Sequence, residues 1–373
     1  MAWTIALALV ALVIVLSYSV LVFLSPVLPE ATPEELVCRT SRSSDQSQQQ
    51  QQQQPLPDLT TSSATVELSV IVPAYNERKR IAIMLNETIN YLELRKLDES
   101  ENELPSGVDR GSYEILVVDD GSKDGTADYV LELADDYQRK HKLERGSIKV
   151  VTLKRNRGKG GATRHGMLHA AGHRILFCDA DGASHFPDLA LLQAEMDLVE
   201  RVQLADKKKS QRVRPDDVHG VIVGSRAHLV RTDAVVKRSF LRNLLMRGFH
   251  TYLFVLGIRT IRDTQCGFKL CTRASAAHIW PLMHSSGWIF DCELLILAAL
   301  AGIPTREVGI QWHEVDGSKV DLVRDSIAMA VDLLVIRANY LLGRWSKPVF
   351  IGLETMQQGQ RIREQEEQTK KTQ

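Results

Sequence analysis

Four times in succession a short β-branched run is followed by a longer amphipathic segment: 68–72 then 80–94, 113–118 then Thr126–His141, 148–153 then 161–171, and 174–178 then 188–202. Strand followed by helix, repeated, predicts an α/β fold built on a mostly parallel sheet covered by helices on both faces. Two further strands are expected at 218–223 and 308–312, and the polar stretches 96–112 and 206–217 read as surface loops hung on this core. No solenoid-type repeat is present.

The chain has 373 residues and a formal net charge of zero, so nothing in its overall charge suggests a nucleic-acid partner. Residues 2–28 contain no charged side chain, a run longer than the apolar core of a signal peptide and without a basic stretch before it. A retained transmembrane anchor over 1–29 is expected. Arg39 and Arg42 follow the run and no Lys or Arg precedes it, which orients the bulk of the chain to the cytosol. Residues 30–65 are rich in Pro, Ser and Gln and read as a disordered linker, 66–345 as the folded domain, and 346–373 as a polar tail. The five cysteines form no C-x-x-C pair and read as reduced thiols of a cytosol-facing domain.

In open α/β sheets ligands bind beyond the carboxyl ends of the strands. The four runs end in Pro73-Ala74-Tyr75-Asn76-Glu77, in Asp119-Asp120-Gly121-Ser122, in a basic glycine-rich segment from Lys154 through Arg155, Asn156, Arg157 and Gly158 to Lys159 and Gly160, and in Asp179-Ala180-Asp181. Singly, each reads as well as a capped turn. The third matches neither glycine fingerprint for phosphates or dinucleotides, but it can offer backbone N–H groups and Lys159 to an anion at the start of a helix. Asp179 and Asp181, two apart, can share one hard divalent cation that in turn holds a diphosphate.

On these four segments the chain resembles the inverting GT-A glycosyltransferases and, more narrowly, the dolichyl-phosphate sugar synthases, their glucosyl-transferring members in particular. The similarity runs from about Leu68 to Lys319. The resemblance implies a GT-A fold, UDP-glucose as donor, dolichyl phosphate as acceptor and residence in the endoplasmic reticulum membrane. It places Pro73, Tyr75, Glu77, Asp119, Asp120, Lys159 and Asp179 around the nucleotide-sugar, and Asp179 and Asp181 on Mg²⁺ or Mn²⁺. Arg226, Lys269, His313, Ser318 and Lys319 fall near the donor or acceptor phosphates, and Asp291 near the sugar. Asp181, Asp291 and Arg226 are the candidate catalytic groups. His313 reads equally well as a structural histidine.

The chemistry agrees with this. A nucleoside diphosphate leaves more readily once a cation neutralises its new charge. A phosphomonoester, with a second pKa of about 6, is already largely anionic near neutrality, so a strong general base is dispensable. A dolichyl-phosphate mannose synthase using GDP-mannose shares these motifs, and a non-catalytic nucleotide-binding membrane scaffold is the rival from another class. The segment 235–258 interleaves basic and apolar residues and reads either as a core helix with a basic face or as an interfacial helix; 326–345 is read as interfacial or packing.

Overall fold

The computed structural model describes residues 2–40, 53–95, 104–141, 143–207, 217–231, 261–315 and 321–351. At its centre β3 (Val66–Ala74), β4 (Tyr113–Asp119), β5 (Gly146–Thr152) and β6 (Gly172–Cys178) run parallel in the order β5-β4-β3-β6. β4 and β6 are buried at every position, which their near-continuous apolar runs require of parallel strands covered on both faces.

Helices α2 (Ile81–Leu94), α3 (Thr126–His141) and α5 (Leu189–Lys207) cover one face, burying Ile81, Val130 and Leu192 against Val70, Val117 and Leu176. Helices α4 (Gly158–Leu168), α6 (Arg273–Ile279), α7 (Phe290–Ala301) and α8 (Leu322–Leu341) build the other core, where Met167, Ile279, Leu294 and Ile336 join Ile71, Val118 and Phe177. Each helix thus contributes an apolar stripe to a layer that the sheet alone cannot cover.

The sheet is mostly parallel, as expected, with antiparallel strands inserted in it. β7 (Val221–Ser225) and β9 (Thr305–Gly309) are parallel to each other, but β8 (Phe268–Thr272) lies antiparallel between β6 and β7. The last strand falls slightly before the expected 308–312, and Trp312 instead bridges to Ser184 beyond the sheet proper.

The described parts of 30–65 also correct the expectation of a disordered linker. β1 (Val37–Thr40) pairs antiparallel with β5 at Arg39↔Val150, and β2 (Gln53–Pro55) pairs with β1. Cys38 and Leu59 are buried in the core, and the Arg273 guanidinium donates to the carbonyls of Leu59 at 3.2 Å and Ser62 at 2.6 Å. Backbone pairing at a free sheet edge needs little apolar content, so composition alone underestimates it.

Helix α1 (Ala2–Leu24) carries no charge and exposes almost all of its side chains. Its 23 residues span about 34 Å at ~1.5 Å per residue, enough for a hydrocarbon core of ~30 Å. Its end is tied to α8: Asn339 Nδ2 donates to Ser25 Oγ at 2.9 Å, Arg344 donates to the same oxygen at 3.0 Å, and the Arg344 guanidinium lies 5.5 Å from the Tyr18 ring. α8 occupies the region expected at 326–345. Ile327, Val331, Leu334 and Leu341 are exposed along it, while Leu333, Ile336 and Tyr340 are buried. The segment 235–258 lies outside the described residues.

Candidate active site

Because β3, β4, β5 and β6 are parallel, the loops leaving their carboxyl ends share one edge of the sheet, and hydrogen bonds lock them together. Asn76, held at φ 52°, donates its N–H to Ser122 Oγ at 2.8 Å and accepts from Lys123 N–H at 2.8 Å. The Glu77 N–H donates to Thr126 Oγ1 at 2.9 Å, joining the first loop to the start of α3. The third loop is fastened to the second by Arg157 N–H, which donates to Asp120 Oδ1 at 2.7 Å. Burial pushes the Asp120 carboxyl up to about 7, against the pull of the Arg157 and Gly158 N–H groups. Asp119, 2 % exposed, accepts from Ser122 N–H at 3.3 Å, and burial raises its pKa too.

Asp179 and Asp181 follow β6. Lys159, at the start of α4, places its Nζ 2.6 Å from Asp179 Oδ1 and 5.5 Å from the rings of Phe177 and Trp288. Burial alone would lower the Lys159 pKa, but the carboxylates of Asp179 and Asp291 outweigh it and hold the ammonium charged. The Asp181 carboxyl is raised by burial first and by the Asp179 charge second, while Arg80 and Lys159 only partly offset this. Arg80 is a residue that the sequence reading missed: it grips Glu77 through two bonds of 2.8 and 2.7 Å.

On the far side of the acid pair, the Asp179 N–H donates to the Gly267 carbonyl at 3.0 Å. A Cβ at position 267 would collide with the Asp179 carboxylate, so the residue there must be glycine for Asp179 to keep its place. Behind this contact lies a second pair of charges. Lys269 Nζ donates to Asp291 Oδ1 and to the Cys266 carbonyl, each at 2.5 Å. Both side chains are almost fully buried, at 1 % and 3 % exposure. Burial raises the Asp291 pKa, and Lys269 and Lys159 pull it back. The structure therefore corrects the phosphate-facing reading of Lys269: it is a strand residue with its ammonium engaged beneath the site.

Arg226 sits at the end of β7 with its guanidinium bidentate to Asp263, at 2.7 and 2.8 Å, and 5.4 Å from the Trp312 ring. His313 is exposed and its N–H donates to the Ala183 carbonyl at 3.0 Å, which brings it beside the Asp179–Asp181 loop. Pro73 ends inside β3, and Tyr75 lies partly exposed just beyond it. Ser318 and Lys319 lie outside the described residues. The structure thus brings Glu77, Asp119, Asp120, Lys159, Asp179, Asp181 and Asp291 to one edge. Asp263, which fixes Arg226, had no sequence signal beyond being one acid among many.

The two carboxylates suit a hard divalent cation: both supply oxygen ligands, and Asp181 stays under-neutralised by the cations around it. Among the described residues there is no cluster of three or more His, Cys, Asp or Glu side chains that could hold a metal ion.

The family model described as "Glycosyl transferase family 2" matches residues 69–207. Dolichyl-phosphate beta-glucosyltransferase of Saccharomyces cerevisiae is 46 % identical over 277 residues, covering 74 % of this chain and 75 % of the relative. The protein of the same name from Homo sapiens is 40 % identical over 283 residues, covering 76 % and 78 %. Among solved structures, glucosyl-3-phosphoglycerate synthase from Mycobacterium tuberculosis aligns at 16 % identity and a TM-score of 0.43, covering 73 % of this chain and 79 % of that one. The mixed sheet flanked by helices is the expected GT-A fold. On its sequence relatives, the chain belongs to the dolichyl-phosphate beta-glucosyltransferases of glycosyl transferase family 2.

Proposed function

We propose that the chain transfers glucose from UDP-glucose to dolichyl phosphate, giving dolichyl β-D-glucosyl phosphate and UDP, and so supplies a lipid-linked glucose donor for N-glycan precursor assembly. The observation that carries this reading is the acid pair Asp179 and Asp181 beside the charged Lys159 at the carboxyl edge of the parallel strands. The names of the relatives support the choice of glucose and dolichyl phosphate.

A phosphate oxygen of the acceptor attacks the anomeric carbon from the face opposite the departing UDP. One carbon–oxygen bond forms as the bond to UDP breaks, so an α-linked donor gives a β product. Asp179 and Asp181 would hold Mg²⁺ or Mn²⁺, which when bound would supply charge neutralisation to the leaving diphosphate. Lys159 adds a fixed positive charge at the same place, where preorganised charge favours the transition state. Glu77, Asp119 and Tyr75 line the nucleoside end. Asp291, held by Lys269, helps to keep Lys159 protonated and orients the sugar side of the site.

The apolar α1 anchors the chain in the endoplasmic reticulum membrane, with the catalytic domain on the cytosolic side. The exposed apolar side of α8, tied to the end of α1, lies along the lipid surface and brings the site to its acceptor. Replacing Asp181 by Asn tests the proposal: transfer to lipid is lost while the circular dichroism spectrum stays that of the folded protein. Undiminished transfer by that variant with Mg²⁺ or Mn²⁺ present overturns it.

A further inference from the structure

The basic loop that carries Lys159 is held by a residue from the segment first read as linker. Glu35 is 1 % exposed and both of its carboxylate oxygens are engaged. Oε1 accepts the Lys154 N–H at 2.9 Å; Oε2 accepts the Thr32 N–H at 2.8 Å and pairs with the Arg157 guanidinium. Its carbonyl is 2.8 Å from His165 Nε2 in α4, the helix that begins at this loop. Neighbouring contacts repeat the attachment: Lys154 Nζ lies 2.9 Å from Glu34 Oε2, and Arg157 donates to the Glu30 carbonyl at 3.3 Å. Burial alone would raise the Glu35 carboxyl, but the N–H groups of Thr32 and Lys154 and the Arg157 charge hold it below its ordinary value.

β5 ends at Thr152, so Lys154 donates its N–H to a carboxylate rather than to another strand. From there to Lys159 the path is set by few contacts: Glu35 on one side, Asp120 through the Arg157 N–H on another, and the Ser286 carbonyl, which accepts from Gly161 N–H at 3.2 Å. A Cβ at Gly158 would meet that same carbonyl at 2.5 Å, so the loop is also pressed closely against 285–287. Of these contacts, only Glu35 combines a main-chain N–H at the start of the loop with a charged side chain two residues before Lys159.

We propose that Glu35 is a positioning residue for nucleotide binding: it holds the loop 154–159 so that Lys159 meets the diphosphate, which makes the segment following the apolar helix part of the nucleotide site rather than a tether. This rests on the reading of the site as one for UDP-glucose. Asp120, which grips the Arg157 N–H, then completes a two-carboxylate clamp on one arginine.

Binding of UDP in the presence of Mg²⁺, measured by calorimetry on the full chain in detergent, tests this with wild type, Glu35→Gln and Glu35→Asp. The expected result is an affinity for UDP about 10-fold weaker in Glu35→Gln, as for a displaced supporting group. Glu35→Asp, which keeps the charge, recovers part of the loss. The KM for UDP-glucose rises accordingly while the KM for dolichyl phosphate stays put, a split that a loss of folded protein does not produce. Wild-type UDP affinity in Glu35→Gln that is folded by circular dichroism overturns the proposal; if that variant does not fold, unchanged affinity in Glu35→Asp does so. Failure of the wild type to bind UDP refutes the functional reading itself, and with it this inference.

Discussion

Lys159 Nζ lies 2.6 Å from Asp179 Oδ1, so the cationic end of the third strand loop is tied to the acid pair that follows the fourth strand. Both side chains are partly exposed, at 19 % and 26 %, which makes the contact a weak contributor to stability and leaves both groups accessible to a ligand. Lys159→Met is expected to lower kcat by about 100-fold, the scale of removing one preorganised charge or donor. Its thermal midpoint should stay close to wild type. Steady-state kinetics and a thermal melt on one preparation check both.

Gly267 is expected to tolerate no side chain. Gly267→Ala forces the Asp179 carboxylate out of position, because the added Cβ overlaps it. Activity should drop by roughly 10-fold or more, as misplaced reacting groups cost. The Mg²⁺ or Mn²⁺ concentration needed for half-maximal activity should rise, and a metal titration of the variant measures it.

Lys269 and Asp291 form a buried ion pair, and removing one partner strands the other charge. Lys269→Met should cost about 3 kcal/mol or more of stability, read by denaturant unfolding. Replacing both, as Lys269→Met with Asp291→Leu, should return much of that stability while transfer stays lost, because the buried Asp291 charge no longer helps to keep Lys159 protonated.

The pH dependence of stability carries the mark of Asp120. Its carboxyl in the folded protein keeps its proton to about pH 7, whereas in the unfolded chain it loses it near pH 4. Between those values the folded state binds more protons, so this group's contribution falls as pH rises and is flat above about 7. Asp120→Asn should remove that slope. The thermal midpoint of wild type minus that of the variant therefore declines from pH 4 to pH 7, and a constant difference contradicts the assignment.

Much of the fold was legible in the sequence because β4 and β6 are buried at every position and β3 over most of its length, so they announce themselves as largely apolar runs. The convergence of Glu77, Asp119, Lys159, Asp179 and Asp181 followed from parallel pairing alone. β8 was missed because Lys269 interrupts its apolar pattern. Only the tertiary partner Asp291, far along the chain, makes a lysine acceptable at 1 % exposure. β1 was missed because four residues, beside a glutamine-rich stretch, carry no periodicity strong enough to read. Glu35 and Arg80 lacked any local signal, since an acid in a polar segment and an arginine before a helix are ordinary until their partners are known.

The most direct measurement is the identity of the lipid product. Purified protein with Mg²⁺ and dolichyl phosphate is given UDP-glucose or GDP-mannose in parallel, and the extracted lipid is analysed for sugar and anomeric configuration. The account predicts dolichyl β-glucosyl phosphate from UDP-glucose and no product from GDP-mannose. A mannosyl lipid with no glucosyl lipid, or a glucosyl lipid made equally well by Asp181→Asn, would contradict it.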